Sequence, residues 1–598
     1  MRASVSAPSS PWSLLLGGLL IVGILGGCGS TKPYTLDPIK TTDPDTRPTD
    51  RPEQTRESMY WDRVDMSVFH QLEKPLNLNW TGRKLGRPLG LASADAADNV
   101  NVLDEPPNSS WWKRRHFYHE MTPHELAVGP NDEDTTGPAA GPAQDGSWTI
   151  ISGKFQGASR GFQIEDPRGD RYLIKLDGPN WPELTSSAEV VSTKIFYAAG
   201  YHVPQNTITY FSPDQLEIAD DAMVDGKGGR RPMTREDLQA LLAPYDPGPD
   251  GRIRGLASKF VDGEPLGPIY FKGTREGDAN DRVRHEQRRE LRGLRVIGSW
   301  LNDADRRHAN TLAVYTDEQY VKHYLIDMGS TLGANATRPH RPIHGQAYMI
   351  DQRKILKALP LLGAYPFPWW DYDSTVPHKA VGYYRADVFK PGEWVPTYPN
   401  PAFEKLTERD GYWGAKIVMS FSDEDLKAIV ETAQISNSDA ETHLLEILKK
   451  RRDKVGRYWF DKVNPLDRFV VSEGLSPSLA SGSAASPSPS GPDSLQFADL
   501  SVTGGLAPAA AREYSYQMHL DGTALGPART VEDTALPLVL DGTPLGRILD
   551  DRGRTAPDQR VVRIDLRTRQ NGVLSDPTRV YVHVPPSGSP RVVGLERP

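Results

Sequence analysis

The sequence predicts an α+β protein: an antiparallel sheet with one helix, then a mainly helical region, then a small all-β, sandwich-like domain. Three observations predict this. Short apolar runs punctuated by turn residues recur between Trp148 and Val261. From His285 the apolar spacing changes to three and four, as on Leu291, Leu294, Ile297 and Leu301. The last hundred residues alternate: Tyr514, Tyr516, Met518, Leu520; Val562, Ile564, Leu566; Val580, Val582, Val584.

The chain begins with an apolar run, Leu14 to Leu25, closed by Leu25-Gly26-Gly27-Cys28. The run is too short to span a bilayer as a permanent helix, and two small residues before a cysteine are the pattern of a bacterial lipoprotein signal peptide. On this reading residues 1–27 are removed and Cys28 carries diacylglycerol and palmitate. The plain alternative for a lone cysteine is a small buried hydrophobe. The expectation is a protein of the bacterial cell envelope, anchored on its periplasmic or outer face. Gly29 in place of Asp leans toward the outer membrane.

Composition narrows the rest. Cys28 is the one cysteine, so no disulfide is available to the body of the chain. Formal net charge is −8 with 25% charged residues, and no domain carries a basic stripe, which argues against nucleic acid as a partner. The partners expected are the membrane and an envelope protein, sugar or lipid.

Residues 28–56, rich in Thr, Asp, Pro and Arg, predict a disordered tether. Residues 57–146 hold scattered aromatics and predict an irregular segment wrapped on the domain that begins near Trp148. The unit 147–265 predicts strands at Trp148 to Ile151, Phe162 to Ile164, Arg171 to Leu176, Asn206 to Phe211 and Ile253 to Val261. A helix opens at Ser186, and an insertion at 212–252 holds one small helix capped by Thr234-Arg-Glu-Asp237. Residues 266–472 are mainly helical, with a strand pair at Thr311 to Tyr315 and His323 to Ile326. A Ser/Pro-rich linker at 473–493 precedes the all-β domain, 494–598.

One ordered set of residues carries chemistry. Glycines 153, 157 and 161 lie between the first two strands, Lys175 is on the third, and Glu189 is on the next helix. Then come Asn302-Asp-Ala-Asp-Arg-Arg-His-Ala-Asn310 and Tyr324-Leu-Ile-Asp-Met-Gly329. This order resembles the protein-kinase-like fold in its atypical branches: lipid kinases, HipA-type toxin kinases and CotH-type coat kinases. Asp305 to Asn310 matches the D-x-x-x-x-N catalytic loop, and Asp327-Met328-Gly329 stands where the metal-binding D-F-G would be.

The resemblance implies a two-lobed kinase-like core, with a sheet-plus-helix first lobe and a helical second lobe. It also implies a nucleotide such as ATP together with Mg²⁺. Gly153, Gly157, Gly161 and Lys175 would bind the nucleotide, with Lys175 held by Glu189. Asn310 and Asp327 would ligate the metal, and Asp305 would orient or deprotonate the acceptor hydroxyl. A second resemblance, in residues 104–112, 182–204 and 288–312, is to a family of uncharacterised bacterial lipoproteins, which implies no activity.

Each piece also has a plain reading. Lys175 ends an apolar strand and could simply reach solvent, and Ser186-x-x-Glu189 is a capping box as it stands. The glycines depart from G-x-G-x-x-G spacing, Asp303 rivals Asp305, Met328 replaces Phe, and His308 reads as a loop histidine. Two functions remain open at this point: nucleotide-dependent phosphate transfer to an acceptor, or a kinase-like binding or scaffold lipoprotein without transfer.

Overall fold

The structure is a computed structural model that describes residues 34–55, 95–131, 141–153, 159–226, 229–361, 365–472, 492–570 and 572–598. Cys28, Gly157 and the linker lie outside the described residues, as does all of 57–94. Among the described residues no helix is long and apolar enough to cross a membrane.

The fold is α+β. A seven-stranded sheet is built from β1 (Trp148–Gly153), β2 (Arg160–Glu165), β3 (Arg171–Leu176), β4 (Asn206–Phe211), β5 (Leu216–Gly226), β6 (Gly229–Pro232) and β7 (Ile253–Lys259), in the order β4-β7-β3-β2-β1-β5-β6. Only β1 and β5 run parallel. One face buries Trp148, Ile150, Phe162, Ile164, Tyr172 and Ile174, the alternating apolar positions of β1 to β3. The insertion does more than the sequence predicts. Besides a helix (α1, Arg235–Leu242) it supplies β5 and β6, which extend the sheet at the β1 edge. Their signal is faint because an edge strand buries little: Gly229 to Pro232 is wholly exposed.

The other face carries α2 (Leu184–Ala198), all but one of whose residues are buried. That explains its run of small and apolar residues: it is a helix with no solvent face. Its N-terminus is capped from β3's end rather than from within. Asp177 accepts the backbone N–H of Thr185 (2.7 Å) and Ser186 (2.9 Å) and the Ser186 hydroxyl (2.6 Å). The capping-box reading of Ser186 and Glu189 is therefore wrong: the helix starts two residues earlier, and both side chains are used elsewhere.

The helical half is organised by α3 (Arg289–Leu301), which packs on α4 (Glu408–Val418), with α5 (Asp423–Glu431) and the long α6 (Ser438–Phe460) around them. Gly293 lets the Trp413 ring lie against α3; a Cβ there would sit 2.4 Å from it. Joining the halves is a three-stranded sheet of β8 (Glu264–Gly267), β9 (Thr311–Tyr315) and β10 (Val321–Leu325). Ser422 and Asp425 form the expected capping box at α5.

In the all-β part, β11 (Leu466–Ser472) pairs antiparallel with β12 (Ser494–Asp499), and the short strand Ala535–Pro537 completes that sheet. A second sheet runs through β13 (Glu513–Leu520), β14 (Val561–Gln570), β15 (Thr578–His583) and β16 (Arg591–Glu596). The two share one apolar core, from Leu466 and Leu495 to Ile564 and Val580. The domain therefore begins at Leu466, ahead of the linker and not after it at 494. The linker joins two paired strands, so composition alone misplaces the boundary.

The expected tether also needs correction for residues 34–55, which lie along the body. Tyr34 stacks on Tyr581 at 4.3 Å, and Thr55 N–H donates to the Leu266 carbonyl (2.9 Å). Asp45 is buried against Ser110. A segment too polar for its own core can still be fixed by backbone and side-chain bonds to a neighbour. Further on, Trp111 and Trp112 are buried in the helical core, with Trp112 Nε1 donating to the Ala199 carbonyl at 2.8 Å.

Candidate active site

β3 places Lys175 and α2 places Glu189 face to face. Lys175 Nζ lies 2.7 and 3.0 Å from the two Glu189 carboxylate oxygens, and both side chains are buried. The same ammonium reaches Asp327 Oδ1 at 3.0 Å, and the Asp327 side chain is half exposed. Burial alone would depress the Lys175 pKa. Asp327 and Glu189 overcome it and hold the pKa above the ordinary lysine range, so the side chain stays an ammonium.

Asp327 has a left-handed backbone (φ 55°), a conformation that Asp tolerates better than most residues. Met328 turns into the core. Gly329 comes next because a Cβ there would stand 3.0 Å from Glu189 Oε1 and from Thr185 Cγ2. The chain then stays on α2: the Thr331 hydroxyl meets that of Ser192 at 2.7 Å, and Thr185 donates to the Ala336 carbonyl. The turn after β10 is thus packed onto the helix that carries Glu189.

The loop after α3 supplies the rest. Asn302 ends the helix in the left-handed region (φ 53°), where Trp394 Nε1 donates to its Oδ1 at 2.8 Å. Asp303 is fully buried and takes Arg306 Nε at 2.7 Å. Arg306 also donates to the carbonyls of Asn310 (2.5 Å) and Ile326 (3.0 Å). It therefore pins both the end of this loop and the residue before Asp327. Sequence spacing does not reveal this role, since Arg306 reads there as one charge in a polar run.

Asp305, in contrast, is partly exposed. It pairs with Arg307 Nε at 3.1 Å, and Asn310 Nδ2 donates to its Oδ2 (3.1 Å) and its backbone carbonyl (2.7 Å). Burial raises the pKa of both aspartates, Asp303 against Arg306 and Asp305 against Arg307. Asp327 adds to the rise in each, and the residue before it is tied to the loop by the Ile326 N–H, which donates to the Asn310 carbonyl at 3.1 Å. Of the rivals, Asp303 is walled in and Asp305 opens outward. His308 stacks on Tyr270 at 5.1 Å, as a loop histidine does.

The structure thus brings Lys175, Glu189 and Asp327 into direct contact and ties Asp305 to Asn310. The glycines are less clear-cut. Gly153 ends β1. Gly161 sits in register opposite Lys175, where a Cβ would lie 2.1 Å from the Ile174 carbonyl oxygen. Close strand packing alone demands that glycine, whether or not a ligand lies nearby.

Among the described residues no three His, Cys, Asp or Glu side chains converge to hold a metal unaided. The donors on offer are hard oxygens, the Asp327 carboxylate and the Asn310 amide oxygen once its NH₂ is turned to Asp305. Two such ligands fit Mg²⁺, which keeps waters and takes its other oxygens from phosphates.

No protein-family model matches the chain, and no curated protein matches it. Among solved structures it is similar to the Helicobacter pylori proinflammatory kinase CtkA, at 12% identity and TM-score 0.27 over 53% of this chain and 98% of that one. It is also similar to a Golgi casein kinase, at 10% identity and TM-score 0.23 over 70% and 95% of the two chains. The same kinase with Mn/ADP bound matches at 10% identity and TM-score 0.26, over 71% and 95%. Likenesses this distant carry no argument. The site stands on this chain's own contacts, Lys175 to Glu189 and Asp327, and Asp305 to Asn310.

Proposed function

We propose that this chain is a lipid-anchored phosphotransferase working outside the cytoplasm, which moves a phosphoryl group from a nucleotide to an acceptor hydroxyl. The observation that carries the reading is the buried Lys175 ammonium held between Glu189 and Asp327. A cation fixed this way can meet nucleotide phosphate oxygens without reorganising, which is what loose phosphoryl-transfer transition states reward.

Each residue has one task. Lys175 neutralises charge on the phosphates, and Glu189 holds it at the right reach. Asp327 and Asn310 would hold Mg²⁺, which would supply further charge neutralisation. Asp305 orients the acceptor hydroxyl and takes its proton as the new oxygen–phosphorus bond forms. The bond to the leaving diphosphate breaks in the same step, so nucleoside diphosphate departs and atoms balance. Arg306 keeps the loop and the Asp327 turn in one frame. Anchoring rests on the Leu25 to Cys28 pattern, and the envelope location rests on the anchor.

A second reading keeps the cleft as a binding module without transfer. It draws on the Arg307–Asp305 pair at 3.1 Å, which occupies the candidate base. Purified full-length chain separates the two. Mg²⁺-dependent stabilisation by ATP or GTP that Asp327→Ala removes, with labelled γ-phosphate appearing on an envelope protein, sugar or lipid, supports transfer. Stabilisation without any transfer leaves the binding module. No nucleotide effect at all ends both. For the anchor, labelling by radioactive palmitate should be lost in Cys28→Ser.

A further inference from the structure

A second concave site lies away from Lys175 and Asp327, where the C-terminal end of α2, the end of β7 and strand β10 meet. It is a cavity of about 450 Å³ lined by Lys113, Arg115, Lys259 and Lys322, with Asp262 the only acid among the described lining residues. His202, in the loop after α2, also lines it.

The charges there are poorly compensated. Lys259 has Asp170 at 3.1 Å, and Arg115 donates to the carbonyls of Tyr197 (2.7 Å) and Tyr201 (2.8 Å) while lying over the Tyr197 ring. Those carbonyls are dipoles and cancel no charge. Lys322 lies over the Tyr324 ring at 5.1 Å. Burial and then the charges of Lys322 and Arg115 hold Lys113 below the ordinary lysine range. Burial and Arg115 do the same to Lys322, against Glu318, Asp262 and Tyr197. His202 is 5% exposed, and its Nε2 has no hydrogen-bond partner. Its ring bonds the Ser109 backbone, and burial with Arg115, Lys322 and Lys113 depresses its pKa well below the usual value.

Like charges gathered in a concave, partly buried site cost stability, and so does an unpaired buried ring nitrogen. An anion with several acceptor oxygens in the cavity removes the repulsion, and a protonated phosphate oxygen or a water carried with it donates to the bare His202 Nε2. We propose that this cavity binds a phosphate-bearing polyanion. Four cations against one carboxylate in the lining ask for a multiply charged ligand, and only an oxyanion offers each of them an acceptor. The lining comes from the N-terminal segment, the end of β7 and β10, so the ligand would cross-link the seven-stranded sheet to the small sheet that joins it to the helical half. The site shares no residue with the nucleotide cleft and does not depend on the phosphotransferase reading.

Titration calorimetry of the full chain with inorganic tripolyphosphate, in EDTA to keep Mg²⁺ out of the cleft, tests this. Wild type and Asp327→Ala should bind alike, and the double variant Lys113→Ala/Lys322→Ala should bind at least tenfold more weakly. Without ligand the double variant should melt no lower than wild type, because removing mutual repulsion offsets lost packing; with ligand its Tm should not rise. Lys322→Ala alone, with an intermediate loss of affinity, keeps the test valid if the double variant fails to fold. Unchanged affinity in the lysine variants, loss in Asp327→Ala, or no binding by wild type overturns the proposal. Displacement of tripolyphosphate by phosphatidylcholine vesicles carrying one-tenth phosphatidic acid, but not by pure phosphatidylcholine, assigns the phosphate to a lipid headgroup. Absence of displacement assigns it to a free phosphate compound.

Discussion

Lys175 Nζ sits 2.7 Å from Glu189 and 3.0 Å from Asp327, one cation between a wholly buried carboxylate and a half-exposed one. The asymmetry divides the labour. Glu189 is shut away beside Lys175, whereas the Asp327 side chain is half open to solvent.

Lys175→Met should therefore cost about 3–5 kcal/mol of stability, by taking the ammonium away from the buried Glu189 carboxylate. Urea denaturation reads this. The double variant Lys175→Met/Glu189→Leu should regain most of the loss yet show no nucleotide turnover. If the double variant is as unstable as the single, the buried pair is not what the single change broke.

Asp305 and Asp303 should separate cleanly. Asp305 has a raised pKa, so its ionised form opposes folding at neutral pH; the stability it contributes is full below the unfolded-state pKa and is lost as pH rises through the folded one. Asp305→Asn should then melt at or above the wild-type temperature at pH 7, with the gain shrinking on acidification, while transfer falls by about 10²–10⁴. Asp303→Asn instead leaves buried Arg306 unpaired and should lose about 3–5 kcal/mol. Scanning calorimetry at pH 7 and pH 4 checks both.

The glycines divide by what a methyl group would meet. At Gly161 a Cβ would press on the Ile174 carbonyl at 2.1 Å, and backbone cannot yield without parting β2 from β3. At Gly153 the first contact is the Val224 Cγ2 methyl at 3.2 Å, a side chain able to shift. Gly161→Ala should lower Tm by several degrees and speed amide exchange on β3, and Gly153→Ala should leave exchange there unchanged.

Arg597 clasps the all-β domain to the helical half by lying over the Tyr412 ring of α4 at 4.7 Å. It is buried, donates to the Leu466 carbonyl (3.0 Å) and to Asp467 (3.1 Å), and lies 3.7 Å from Asp104. Burial would raise the Asp104 pKa, but Arg289, Arg597 and Arg409 hold it at about 2. A depressed carboxylate contributes stability above its unfolded pKa that is lost as pH falls through the folded value. Arg597→Ala should cost about 3–5 kcal/mol at neutral pH. The difference from wild type should narrow below about pH 4, as unfolded-state aspartates take up protons. Equilibrium unfolding across pH 2–7 measures it; a pH-independent loss would mean that packing, not charge, holds the clasp.

Local spacing alone announced much of this. Period-two runs gave β1 to β4, β7 and β13 to β15, and capping sequences gave α1 and α5, because a strand or cap depends on side chains within a few residues. Lys175, Glu189, Asp305, Asn310 and Asp327 were singled out by the resemblance to the kinase-like order of parts, because spacing alone left each a plain reading. Charge and long-range pairing were not legible. Asp177 as the cap of α2, Arg306 as the pin between two loops and Arg597 as the clasp to Asp467 all involve partners that spacing cannot specify. The polar segment 34–55 carries no apolar period, so its docking lay in backbone bonds to β8 and its neighbours rather than in composition.

By itself, then, the sequence determined which elements form and where their side chains stand along them, since periodicity and capping are near-neighbour physics. Only the tertiary structure decided that Lys175 meets Glu189 and Asp327, that β11 belongs across the linker with β12, and that Lys113, His202 and Lys322 share one cavity. Those contacts join residues far apart in the chain, and burial, not spacing, sets their energy.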